Sequence, residues 1–318
     1  MKKQIIYHDF NLNLKLYTIP SFFINEIKKE FSNVCFVDSD LEYDKKNIEI
    51  FFGNRINNQK IEEYKNLKWI HLGCVGYDSI DVELLRSKNI LMTNSSGLLT
   101  NSMVEHILSF MTSFSRGMNY INLLRNKKLL DRENFDNYFE KVTNLSNLKV
   151  LICGFGNVGN KLAKILEHLD MEIYTISRTK KSNYKNFSLS DIGDLASKVD
   201  YIINLLPLSD ETENLFDSKL FSKMNNVSFI NLGRGKTVNE KDLIEAIANG
   251  NLNSAALDVF EVEPLSLKSK LFEYDNILLT PHIAGLDSNY WNRQLDLFKN
   301  NLRLYFEKKN QSLKNRII

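Results

Sequence analysis

The sequence predicts an α/β protein of two doubly wound parallel-sheet domains, and three observations carry that prediction. At 318 residues the chain is longer than one hydrophobic core usually serves. Short apolar runs alternate with segments of helical period, as parallel strands with crossover connections require. The alternation comes in two series, separated by a long helical stretch and a polar segment.

In the first series, residues 5–7, 34–37, 48–52, 69–72 and 90–93 read as five strands, with 21–31 and 81–88 as crossovers. One long helix is expected over 100–127, where Met103, Ile107, Phe110, Met111 and Phe114 share a face. The polar segment 132–147 follows. In the second series, 150–153, 173–176, 201–206, 227–232, 255–259 and 277–280 give six strands. That is the number in a complete doubly wound dinucleotide fold. Residues 287–308 read as a last amphipathic helix with Leu295, Phe298, Leu302 and Phe306 on its stripe.

Composition narrows the function classes. With 43% hydrophobic and 25% charged residues the chain has the makeup of a folded protein rather than a disordered one. A formal net charge of +2 gives no electrostatic case for nucleic acid. The lysine pairs at 127–128, 180–181 and 308–309 sit among polar residues and read as solvated. Cys35, Cys74 and Cys153 form neither a metal-ligand spacing nor a disulfide framework, so no metal is expected. No apolar run reaches the roughly 18–20 residues of a membrane span, and a cytoplasmic location is expected.

The second series opens on Gly154-Phe155-Gly156-Asn157-Val158-Gly159, between the strand 150–153 and a helix from about 157 to 169. A Gly-x-Gly-x-x-Gly turn in this context presents backbone and a helix N-terminus to a pyrophosphate. The next strand ends in Ser177-Arg178-Thr179-Lys180-Lys181, where NAD-specific turns place a carboxylate for the ribose 2′-hydroxyl. An arginine there suits a 2′-phosphate, so NADP is expected, with NAD as the alternative.

Arg234, Glu263 and His282 follow the last three expected strands. In an open α/β sheet ligands bind beyond the carboxyl ends of strands, so these residues can meet at one site. Their types suit reduction of a 2-keto acid. A fixed cation holds the carboxylate, an imidazole gives a proton near neutral pH, and a carboxylate sets its tautomer.

On these motifs the chain resembles the D-isomer-specific 2-hydroxyacid dehydrogenase family, which includes glyoxylate/hydroxypyruvate reductases and phosphoglycerate dehydrogenases. The likeness is carried by 75–81, 101–106, 154–159, 206–208, 231–235, 256–264 and 280–285, and it covers most of the chain. It implies a flavodoxin-like substrate domain over 1–98 and 284–318, and a Rossmann NAD(P)-binding domain over 99–283. It implies Arg234 as substrate binder, His282 as acid/base and Glu263 as its partner. The amides of Val75 and Gly76, beside Cys74, would hold the substrate carboxylate. Leu206, Pro207, Leu232, Gly233 and Asp258 would line the cofactor, Asp258 on its carboxamide side. A homodimer through the cofactor domain is implied as well.

Other residues read more plainly. Arg55 reads as a solvated loop residue, with a substrate anion as the alternative, and Cys153 as a small core residue. Cys74 would be a place for oxidation or alkylation. Glu105 and His106 suggest a structural role, and Tyr290 with Trp291 either cap the site or pack the last helix. Two other functions fit the same motifs. A formate dehydrogenase is disfavoured by the Glu263 carboxylate, since formate enzymes use an amide partner. A non-catalytic nucleotide-sensing scaffold, like the related transcriptional corepressors, is disfavoured by the missing basic tail.

Overall fold

Continuous apolar runs such as Ile50-Phe51-Phe52 and Trp69-Ile70 suit strands covered on both faces, and parallel sheets are built from them. The computed structural model describes residues 4–10, 14–37, 45–178 and 184–318. The chain divides into two units, Met1–Leu99 with Leu286–Ile318, and Thr100–Gly285.

In the first unit, β1 (Gln4–Asp9), β2 (Val34–Val37), β3 (Ile50–Gly53), β4 (Trp69–Leu72) and β5 (Leu91–Thr93) form one parallel sheet in the order β2-β1-β3-β4-β5. This is the flavodoxin-like order. Helices α1 (Ser21–Glu30), α2 (Asn58–Glu63) and α3 (Val82–Ser87) are crossovers. Asn57 and Asp81 cap α2 and α3 by accepting first-turn amides.

A C-terminal helix, Tyr290–Phe306, completes this unit. Its buried face is Tyr290, Trp291, Gln294, Leu297, Phe298, Asn301 and Leu302, so Leu295 and Phe306 of the expected stripe lie at its margin. Tyr290 and Trp291 are packing residues: Trp291 Nε1 donates to Leu16 O at 2.7 Å, and the Phe298 ring stacks on Phe52 at 4.4 Å. Between helix and sheet runs a buried polar chain. Gln294 Nε2 donates to His71 Nε2 (2.9 Å), which leaves the ring proton on Nδ1 for Thr93 Oγ1 (2.7 Å). Trp69 Nε1 donates to the same hydroxyl (3.0 Å), and Ser95 Oγ lies 2.9 Å from Gln294 Oε1. Complete burial pushes the His71 imidazole down to about 3.

In the second unit, β6 (Lys149–Cys153), β7 (Glu172–Ile176), β8 (Lys185–Phe187), β9 (Tyr201–Asn204), β10 (Val227–Asn231), β11 (Leu252–Leu257) and β12 (Ile277–Leu279) form a parallel sheet. The order is β12-β11-β10-β9-β6-β7-β8, a Rossmann arrangement with a seventh strand. The seventh by topology is the edge strand β12, while the strand the sequence did not announce is β8, a three-residue edge whose Lys-Asn-Phe sequence carries no apolar run. Helices α4 (Thr100–Ser115), α5 (Met118–Asn126), α6 (Arg132–Asp136), α7 (Asn157–Glu167), α8 (Ile192–Ala196), α9 (Ser218–Phe221) and α10 (Glu240–Ala248) complete it. The single helix expected over 100–127 is broken at Gly117, whose φ of +66° no helix accommodates. The segment expected to be merely polar contains α6. Among the described residues no helix is long and apolar enough to cross a membrane.

Candidate active site

Register sets the site. Cys153 pairs with Asn204, Asn204 with Asn231, Asn231 with Leu257, and Leu257 with Leu279. The turns after β6, β9, β10, β11 and β12 therefore emerge side by side on one edge.

The turn after β6 holds the glycines. Gly154 has φ +105°, and a Cβ on it would lie 2.9 Å from Leu205 O. A Cβ on Gly159 would lie 2.3 Å from Gly154 O. The protein's own packing demands both glycines. Gly156 differs, because a Cβ there would meet nothing within 4 Å and its φ is −84°. Among the described residues no neighbour explains that glycine, whereas close approach of a bound group does. Gly156 is also the N-cap of α7 and brings no capping side chain, so the first-turn amides keep capacity for an anion. The residues present fit a dinucleotide pyrophosphate. Phe155 and Val158, by contrast, pack against the core.

After β7, Ser177 is fixed by β8: its amide donates to Phe187 O (3.3 Å) and its hydroxyl to Asn186 Oδ1 (2.9 Å). Arg178 is exposed just beyond. Thr179, Lys180 and Lys181 lie outside the described residues.

Buried amides shape the turn after β10. Asn204 Nδ2 donates to Asn231 Oδ1 (3.0 Å) and Thr237 Oγ1 (2.7 Å), while Asn231 Oδ1 accepts from Gly233 N (3.0 Å). Thr237 Oγ1 donates to Arg234 O at 2.6 Å. The backbone at Gly233–Arg234 is held from several sides, and the guanidinium rests on Gly233 O at 2.8 Å. A Cβ on Gly233 would lie 2.6 Å from Leu206 O, so this turn presses on the one bearing Leu206 and Pro207.

Glu263 and His282 are brought together. Glu263 Oε2 lies 2.7 Å from His282 Nδ1, and its Oε1 accepts from Phe260 N at 3.2 Å. The imidazole is 56% exposed, so its other nitrogen has room to exchange a proton with a ligand. His282 has φ +57°, an uncommon conformation for a side-chain-bearing residue. Asp258 holds that turn. Its Oδ1 accepts from Thr280 Oγ1 (2.6 Å) and Ile283 N (2.8 Å), and its Oδ2 accepts from Ala284 N (2.9 Å). At 2% exposure, Asp258 acts within the protein as a brace for the His282 turn. His106 Nε2 lies 3.0 Å from Thr280 Oγ1, and burial lowers the pKa of its ring, with Asp258 opposing.

In the first unit, Val75 and Gly76 follow β4. Asn94 Nδ2 donates to Val75 O (2.8 Å) and Ser95 N to Cys74 O (3.1 Å). Among the described residues the amides of Val75 and Gly76 donate to no protein acceptor. Cys74 Sγ lies 3.4 Å from Gly76 O. Arg55 leans toward Asp9 at 3.9 Å, and Glu105 is exposed. Sequence reading missed Asn204, Asn231, Thr237 and Thr280 as shaping residues. For Asn204, Asn231 and Thr280 the signal is a polar residue closing an apolar strand, and Thr237, in the turn after β10, has none.

The fold and its glycine turn define the class, a dinucleotide-binding enzyme of the dehydrogenase type. The chain belongs to the D-isomer specific 2-hydroxyacid dehydrogenase family of NAD(P)-dependent oxidoreductases, the model of whose NAD binding domain matches residues 108–284. It is 29% identical over 306 residues to glyoxylate/hydroxypyruvate reductase A HPR2 of Arabidopsis thaliana, covering 93% of this chain and 96% of that one. It is 36% identical over 239 residues to a probable 2-ketogluconate reductase of Dictyostelium discoideum, covering 71% of this chain and 70% of that one. The fold matches the NADPH-dependent glyoxylate/hydroxypyruvate reductase of Sinorhizobium meliloti, with a TM-score of 0.78 at 22% identity over 96% of this chain and 95% of that one.

Proposed function

We propose that the chain reduces small 2-keto acids to D-2-hydroxy acids, using NADPH in preference to NADH. The observation that carries this reading is the 2.7 Å pair of His282 and Glu263 at the ends of neighbouring strands, with the Arg234 turn on the next strand. When bound, the nicotinamide supplies the hydride. Glu263 holds Nδ1 of His282, which directs proton transfer to Nε2 and stabilises the charged ring when it forms. His282 gives that proton to the ketone oxygen and takes it back in the reverse direction. Arg234 grips the substrate carboxylate through its planar fork and draws charge from the adjacent ketone. In the first unit, the amides of Val75 and Gly76 are donors suited to a carboxylate. This makes the first unit the substrate domain and the second the cofactor domain.

Arg178, exposed beyond β7 where a 2′-hydroxyl-binding carboxylate is missing, supports NADPH as the preferred cofactor. Exposed Leu130 and Phe139, at 60% and 69%, support assembly of a homodimer through the second unit. The reading also carries a cytoplasmic location. The test is oxidation of NADPH and of NADH against glyoxylate, hydroxypyruvate, pyruvate and 2-ketogluconate. The expected result is turnover with NADPH favoured, and a loss of about 10- to 150-fold in NADPH affinity for Arg178→Ala. No turnover with any of the four, while NADPH still binds, would overturn the reading.

A further inference from the structure

Two glutamates with no part in the chemistry above hold each other's backbone. Glu240 opens α10 shortly after Arg234, and Glu261 stands just before Glu263. Glu240 N donates to Glu261 Oε1 at 2.7 Å, and Glu261 N donates to Glu240 Oε1 at 2.7 Å. Beside this exchange, Gly235 lies so close to the next loop that a Cβ on it would sit 1.8 Å from Phe260 O. Two charge-assisted bonds and a contact that admits no side chain thus join the segment leaving Arg234 to the segment ending in Glu263. Glu261 also places its carboxylate at the N-terminus of α10, whose dipole favours it there.

We propose that Glu240 and Glu261 are positioning residues, a reciprocal clamp that fixes the Arg234 turn against the Glu263 loop and, through Glu263, orients His282. The proposal rests on the reading that Arg234, Glu263 and His282 carry the reaction. The clamp works by accepting amide protons, which a carboxamide oxygen also does. At Glu240 the charge is costly: burial holds its carboxyl above the usual carboxylate range, with the Glu261 amide opposing and the Glu261 charge adding to it. A glutamine should therefore replace either residue and an alanine should not.

The experiment uses the full chain with Glu240→Ala, Glu240→Gln, Glu261→Ala and Glu261→Gln. It measures kcat and KM for the keto acid and for NADPH, with hydrogen exchange over 234–240 and 258–263. A displacement of about 1 Å at a reacting group can lower a rate by about 100-fold. The alanine variants are expected to lose about 10- to 100-fold in kcat with the KM for NADPH within about twofold. Exchange in both segments should accelerate in the alanine variants, and the glutamine variants should recover both measures. Alanine variants with wild-type kcat, or glutamine variants as impaired as alanine, would overturn the clamp. If the wild type turns over no keto acid, the function reading falls, and the exchange data still decide whether each glutamate protects the other's loop.

Discussion

The two sheets use buried polar groups in opposite ways. In the first unit, His71, Thr93, Ser95 and Gln294 are fully buried between sheet and C-terminal helix, and they satisfy one another. They fix how a helix seats on a sheet. In the second unit, Asn204, Asn231, Thr237 and Asp258 lie where strands become turns. They fix the backbone under side chains that stay accessible, Arg234 and His282. The same cost of burying polar atoms is offset by helix placement in one unit and by turn geometry in the other. Damage in the first should therefore read out as stability, and damage in the second as activity.

The largest expected effect is on the second unit. His282→Ala should lower kcat by about 10²–10⁴-fold, the range for a lost general acid, with little change in melting temperature. A large fall in stability with kcat kept would reverse the contrast. Next comes Gln294→Leu, which strips partners from His71 and Ser95. Unfolding in urea should show about 1–3 kcal/mol lost while kcat and KM stay at wild-type values.

The His71 ring gives a pH signature of the same kind. Its folded pKa, about 3, lies below the ordinary value of 6.5, so only the unfolded chain takes up this proton as the pH falls between those limits. The stabilisation is complete above 6.5 and erodes downward, by about 1.5–2 kcal/mol between pH 6.5 and 5 for this group. Denaturation of wild type and His71→Gln at both pH values should show the slope shrinking in the variant. The smallest effect in the series is Gly156→Ala. Its Cβ enters open space, so the melting temperature without cofactor should hold while NADPH binding weakens by about tenfold in a titration. An equal loss in both would show that the space belongs to the fold.

Much of this was legible in the sequence, and the misses have separate causes. Apolar runs such as Phe229-Ile230 marked central strands because burial on both faces leaves no other composition. Gly154 and Gly159 were legible because backbone contact excludes every side chain. The edge strand β8 was not, since Lys185-Asn186-Phe187 is too short and too polar to have a period. Nor was the break at Gly117, because apolar spacing continues across it and one glycine disfavours a helix by only about 1 kcal/mol. Glu240 and Glu261 were invisible for a third reason. Their partners are backbone amides, which have no letter in a sequence.

The left-handed turn at His282 has an evolutionary side. Of the residues with side chains, asparagine, aspartate and histidine enter that conformation most readily, and glycine adopts it freely. On the proposed reading, a variant carrying asparagine or glycine at 282 should keep its fold while losing most of its turnover, because the turn accepts either residue and the proton donor is gone. On the proposed reading, the histidine is kept at this position for turnover rather than for the fold. In a lineage that stopped needing the reaction, it would be among the first to drift, leaving an intact protein with a silent site.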